Sequence, residues 1–202
     1  MQKNGNPVGT STAARPTAVR NAVEIAHKLC ALKIKPGDTV IDCTMGNGND
    51  TVLLCRLAGA AGKVYAFDIQ ERALAATGQR LEDLGLRAAA ELILDGHQHI
   101  DKYVTDKADL IIFNLGYLPG GDHELTTLED ATLEAVRKSL ALLKPGGLIL
   151  IVVYPGHESG RREKEALAEM TSRLDQKEYQ VILVNFTNQA SFPPELICIE
   201  KL

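Results

Sequence analysis

At 202 residues, with 45% hydrophobic and 24% charged side chains, the chain carries enough apolar material for one substantial core. Its four cysteines, Cys30, Cys43, Cys55 and Cys198, form no Cys-x-x-Cys pair, and no apolar run nears the ~20 residues of a membrane helix. This excludes a disulfide framework, a zinc site and a membrane span, and predicts a reduced, cytoplasmic, metal-free protein.

The net charge of −4 is unevenly placed: residues 1–37 hold six Lys and Arg against Glu24 alone, a net +5 that leaves −9 for the remainder. Such a basic end is either a solvated helix face or a surface for a polyanion such as nucleic acid. Residues 1–15, rich in Asn, Gly, Ser and Thr, read as a flexible or tag-like extension without the apolar core of a signal peptide. Residues 16–202 read as a single domain.

Five short aliphatic runs, at 39–43, 63–67, 90–94, 109–113 and 148–154, alternate with helical spacing at 50–57, 71–84 and 127–143. Strands apolar on both faces and separated by helices predict a doubly wound, mostly parallel sheet with helices on both sides. Thr126-x-x-Glu129 predicts the start of the third helix as a capping box, and Lys144-Pro-Gly-Gly147 its end. Two further runs, 180–186 and 196–199, are joined too closely for a crossover helix and should pair antiparallel. A seven-stranded Rossmann-like sheet closed by an antiparallel hairpin is the pattern of class I methyltransferases.

The first strand runs into Asp42-Cys-Thr-Met-Gly-Asn-Gly-Asn-Asp-Thr51, and the second ends in Asp68, 20 residues beyond Gly48. A glycine turn and a distant acid are how such a sheet grips a nucleoside-bearing cofactor. Thr51 stands where a dinucleotide site has its third glycine, which leaves less room beside a pyrophosphate. Asp42 can hold the ammonium group of S-adenosylmethionine, with Asn47 and Asp50 adding polar contacts. Asp50 can equally be a helix N-cap. Asp68 can accept the ribose hydroxyls, and Asp95-Gly96-His97 lies where an adenine would sit. The expected cofactor-binding set is Asp42, Thr44, Gly46, Asn47, Gly48, Asp50, Thr51, Asp68, Gly96 and His97, with His99 and His123 outside any metal site.

After the fourth strand comes Phe113-Asn-Leu-Gly-Tyr-Leu-Pro-Gly-Gly-Asp122. Its Asn-x-x-Tyr resembles the Asn-Pro-Pro-Tyr loop of amino-methylating nucleic-acid methyltransferases, although Leu115-Gly116 replaces the two prolines. In that chemistry the Asn carbonyl orients the target amine, which is catalysis by positioning. Tyr117 can stack on a base. Tyr154 and His157, after the fifth strand, should face the same crevice, and His157 is a candidate proton acceptor because it titrates near neutrality. Arg161 and Arg162 either reach phosphate or are solvated.

Taken together, Asp42-x-Thr-Met-Gly-Asn-Gly-x-Asp-Thr51, Tyr65-Ala-Phe-Asp-Ile-Gln70, Phe113 to Gly121, Thr126-Thr127, Tyr154-x-Gly-His157 and Asn188-Gln189 with Pro193-Pro194 resemble the YtqB/MnmM-type, rRNA methylase-like class I methyltransferases. That resemblance spans roughly 16–201. It implies S-adenosylmethionine as cofactor and tRNA as partner, bound at the anticodon. The implied reaction converts 5-aminomethyl-(2-thio)uridine at the wobble position to 5-methylaminomethyl-(2-thio)uridine. By the same resemblance Asn47, Asp50, Asp68, Gln70, Gly96 and His97 would contact the cofactor, Asn114, Tyr117, Tyr154 and His157 would face the modified base, and a homodimer is possible. An rRNA or small-amine target is the alternative, and a non-catalytic nucleotide-binding module is a further one.

Overall fold

The structure, a computed structural model, describes Thr17, residues 19–116 and residues 129–202. Strand β1 (Thr39–Asp42) lies mid-sheet, parallel to β2 (Lys63–Asp68) on one side. Beyond β2 lies β3 (Ala90–Leu94), and on the other side of β1 run β4 (Ala108–Asn114) and β5 (Leu143–Val153), all parallel. Strand β7 (Glu195–Lys201) is wedged between β5 and β6 (Tyr179–Val184) and runs antiparallel to both. The sheet order is β3-β2-β1-β4-β5-β7-β6.

Because successive strand residues point to opposite faces, residue parity sorts the core. Odd positions such as Ile41, Phe67, Ile111, Phe113 and Ile151 pack against α4 (Ile100–Tyr103), α5 (Glu129–Leu142) and α6 (Glu158–Ser172). Even positions such as Val40, Val64, Leu110, Ile112 and Leu150 pack against α1 (Ala22–Lys33), α2 (Asn49–Ala58) and α3 (Glu71–Asp83). Both faces are apolar, so the parallel strands read as near-continuous hydrophobic runs.

The basic N-terminal stretch is more than a solvated face. Its helix α1 begins at Asn21, whose side chain accepts from the Glu24 amide, and it buries Ala22, Ala26 and Cys30 completely. These small residues, four apart, let α1 lie close to the sheet and α2.

Two boundaries differ from the sequence expectation. Helix α5 stops at Leu142, but Lys144-Pro-Gly-Gly147 already belongs to β5: Leu143 pairs with Ala108, and regular register resumes at Leu148 after a bulge. Gly146 takes φ +73° there, and its carbonyl accepts from Lys33 Nζ. The segment is a bulged strand entry rather than a free cap, because β4 offers it a partner. The Thr126 capping box lies outside the described residues.

The turn after β1 depends on glycine. Gly46 and Gly48 take φ +51° and +77°, and a Cβ on Gly48 would lie 2.9 Å from Thr77 Oγ1 on α3. Replacing Gly48 by Ala adds backbone strain and overpacking at once. Urea denaturation of Gly48→Ala is expected to show a loss of about 1–3 kcal/mol. Gly156→Ala, where a Cβ meets nothing within 4 Å, should stay within about 0.5 kcal/mol of the parent.

Candidate active site

Parity also assembles the chemistry. Asp42, Asp68, Asn114 and Tyr154 are all even, so they meet at the carboxyl edge of the sheet on the side of α1, α2 and α3. Open α/β sheets bind ligands at this edge.

Asp42 is fully buried. Its carboxylate accepts from Thr51 Oγ1 at 2.6 Å and from the Thr44 amide at 3.0 Å. Burial first, then the negative charge of Asp50, pushes its pKa up to about 7. Asp42 thereby anchors the first turn of α2 to the tip of β1. Thr51, fully buried in the position of a third glycine, is the other half of that anchor.

Asp68 is held flat by two amides, Gly46 N on Oδ2 at 3.0 Å and Gln70 N on Oδ1 at 2.9 Å. Each oxygen keeps a lone pair for a diol. Gly46 is fixed on its other side by Thr77, whose hydroxyl donates to the Gly46 carbonyl at 3.0 Å. The Gln70 side chain accepts from Arg72, and exposed Asn47 presents its carbonyl to Arg80. Asp50 and Asp68 both act on Asp42 through their charge, so the three acids lie in electrostatic range at this edge of the sheet. That donor set suits a ligand carrying ammonium and sulfonium charges, and it would repel a pyrophosphate. The residues therefore fit S-adenosylmethionine. Among the described residues, no group of three His, Cys, Asp or Glu side chains could hold a metal.

Gly96 and His97 follow β3. His97 is buried, donates from Nδ1 to the Cys43 carbonyl at 3.0 Å, and packs edge-on to Phe113 with ring centroids 5.7 Å apart. Burial holds its pKa below the usual value, so the neutral ring presents Nε2 as an acceptor, suited to an exocyclic amine. His99 bonds Asp95 instead of a metal, at 2.8 Å.

Asn114 sits in a chain of polar groups. Its amide nitrogen donates to Asp50 Oδ2 at 3.3 Å, and its carbonyl accepts from the Tyr154 hydroxyl at 2.8 Å. Only this orientation works, because a carboxylate cannot donate. The Asn114 backbone amide is held by Thr44 Oγ1 at 2.8 Å. Burial, then the Asp50 charge, raises the Tyr154 pKa and keeps the phenol protonated. Asp50 is not an N-cap, since Gly48 occupies that position. Its second oxygen meets His27 Nε2 of α1 at 2.6 Å. Sequence reading missed His27: its one clue is the Ala22, Ala26, Cys30 stripe that brings α1 down onto α2.

His157 departs from its expected role. It caps α6, its Nδ1 accepting from the Gly160 amide at 3.0 Å beside Ser159 Oγ at 2.9 Å. A neutral ring so engaged carries its proton on Nε2, a buried atom without a hydrogen-bond partner among the described residues. The geometry offers a donor, not a proton acceptor. Arg162 pairs with Glu158 on the exposed first turn of α6. Tyr117 and His123 lie outside the described residues.

A family profile described as "Putative rRNA methylase" matches residues 64–200. The chain is 41% identical over 165 residues to the "tRNA (mnm(5)s(2)U34)-methyltransferase, chloroplastic" of Arabidopsis thaliana, covering 77% of this chain and 60% of that protein. It thus spans about three fifths of that relative. A solved structure of a "putative rRNA-methylase" from Clostridium thermocellum superposes with a TM-score of 0.90 at 44% identity, over 92% of this chain and 100% of that one. A Streptococcus mutans "putative methyltransferase", solved in complex with SAH, gives a TM-score of 0.84 at 43% identity, over 91% and 99% of the two chains.

The raised pKa of Asp42 has a sign. An ordinary aspartate ionises near 3.8, whereas folded Asp42 keeps its proton to about 7. The native state therefore binds more protons than the unfolded chain between those values, and this group's contribution falls as pH rises through them. Asp42→Asn lacks that loss. Urea midpoints measured from about pH 4 to 8 should show its stability relative to the parent climbing up to about pH 7 and then levelling.

Proposed function

Because the chain belongs to the rRNA methylase family, we propose that it transfers a methyl group from S-adenosylmethionine to the aminomethyl nitrogen of 5-aminomethyl-(2-thio)uridine at the tRNA wobble position. The observation that carries this reading is Asn114, fixed between Asp50 and Tyr154 at the carboxyl edge of the sheet. Likeness to the Arabidopsis tRNA enzyme supports the substrate, and the SAH-bound Streptococcus mutans neighbour supports the cofactor.

S-adenosylmethionine supplies an electrophilic methyl group on sulfonium. Asp68 would hold ribose hydroxyls, the acidic edge would favour the cationic end, and His97 Nε2 would accept from the adenine amine. Asn114 Oδ1 has two lone pairs, of which Tyr154 takes one. The other accepts an N–H of the neutral target amine and turns the nitrogen lone pair toward the methyl group, so rate comes from orientation. Since His157 Nδ1 is already engaged, the proton lost by the substrate ammonium passes to water. A wobble base is already unpaired, which keeps the unstacking cost low.

The family description favours one second reading, methylation of rRNA with the same site and cofactor. Mass spectrometry of nucleosides after incubation with S-adenosylmethionine separates the two. Undermodified tRNA should gain one methyl at the aminomethyl uridine; methyl gain on ribosomal subunits alone would reverse the assignment. Asn114→Ala should lower kcat on that tRNA by about 10²-fold, and Tyr154→Phe by about tenfold, with SAH affinity by calorimetry little changed.

A further inference from the structure

We propose that His27 is a positioning residue for methyl transfer: through Asp50 it fixes the side-chain amide of Asn114 in the orientation that serves the acceptor amine. The idea rests on the functional reading above and extends it to a helix outside the crevice.

The path is continuous and directional. His27 Nε2 donates to Asp50 Oδ1 at 2.6 Å, Asp50 Oδ2 accepts from Asn114 Nδ2 at 3.3 Å, and Asn114 Oδ1 accepts from Tyr154 at 2.8 Å. Four side chains from α1, α2, the end of β4 and the segment after β5 thus form one line. The Asn114 link is the longest and weakest of the three, so the orientation of this amide depends on where Asp50 is held. Asp50 is 7% exposed at its side chain and lies in electrostatic range of Asp42. Without a donor on Oδ1 the Asp50 carboxylate loses its shorter tie, and the longer bond that orients the Asn114 amide loosens with it. His27, with 31% of its side chain exposed, supplies that donor while reaching solvent. Its bond to Asp50 and the charges of Asp50, Glu24 and Asp42 hold its pKa above 6.5, so at neutral pH the ring is a stronger donor than an isolated imidazole.

The test combines kinetics with a measurement that needs no acceptor. With undermodified tRNA, His27→Ala should lower kcat by about tenfold while KM for tRNA and SAH affinity stay within about twofold. His27→Gln, which keeps a donor, should recover most of the loss. In an Asn114→Ser background His27→Ala should cost almost nothing, because residues acting as one unit are not additive. Equal losses in both backgrounds, or no recovery by Gln, overturn the proposal. By NMR, the Asn114 side-chain NH₂ resonance should shift with the same midpoint as the His27 ring and become flat in His27→Gln. An Asn114 signal blind to His27 overturns the coupling outright. If that coupling holds while the wild type leaves tRNA unmethylated, the substrate assignment fails and the positioning role stands.

Discussion

A buried carboxylate governs this active edge. Asp42 closes β1 and takes the hydroxyl of Thr51 and the amide of Thr44, which pins the first turn of α2 to the sheet. Burying a charge is costly, and the shift of Asp42 toward neutrality is how the fold meets that cost. Once α2 is pinned, Asp50 can reach only toward α1 and the end of β4, so Asn114 inherits its geometry from a residue it never touches. Thr44 adds a second tie by receiving the Asn114 backbone amide.

Electrostatics then selects the ligand class. Acids held close together are unfavourable alone and become favourable when a cation enters, the reverse of a phosphate-binding turn. The glycine turn is shared by both kinds of site, and its neighbours decide between them. On the acceptor side the chemistry is nearly neutral: a protonated phenol, an amide and an engaged imidazole. Such groups hold an amine in place without competing for its lone pair.

Much of the fold is legible in the sequence because parallel strands buried on both faces leave unbroken aliphatic runs. The entry to β5 is not, since Lys-Pro-Gly-Gly reads locally as a helix stop and only the backbone of β4 makes it a strand. Asp42, Asp68 and Asn114 stand out as polar residues at strand ends, which is why they were nameable. What their oxygens bind is not written locally. The burial of Asp42 depends on Thr51 folding back, and His27 lies 23 positions from its partner with no spacing rule to connect them. His157 could be found as a residue but not as a cap, because its role depends on where α6 begins.

Strand β7 follows β6 in the chain yet lies inside it, pairing with β5 on one side and β6 on the other. During synthesis β5 therefore waits with an open apolar edge while α6 and β6 are made. Val181, Ile182 and Leu183 of β6, exposed even in the finished fold, wait beside it. Half-made chains carry two unpaired edges at once, the condition under which strands of different molecules find each other. The topology thus leaves the nascent chain with strand edges that the finished fold covers.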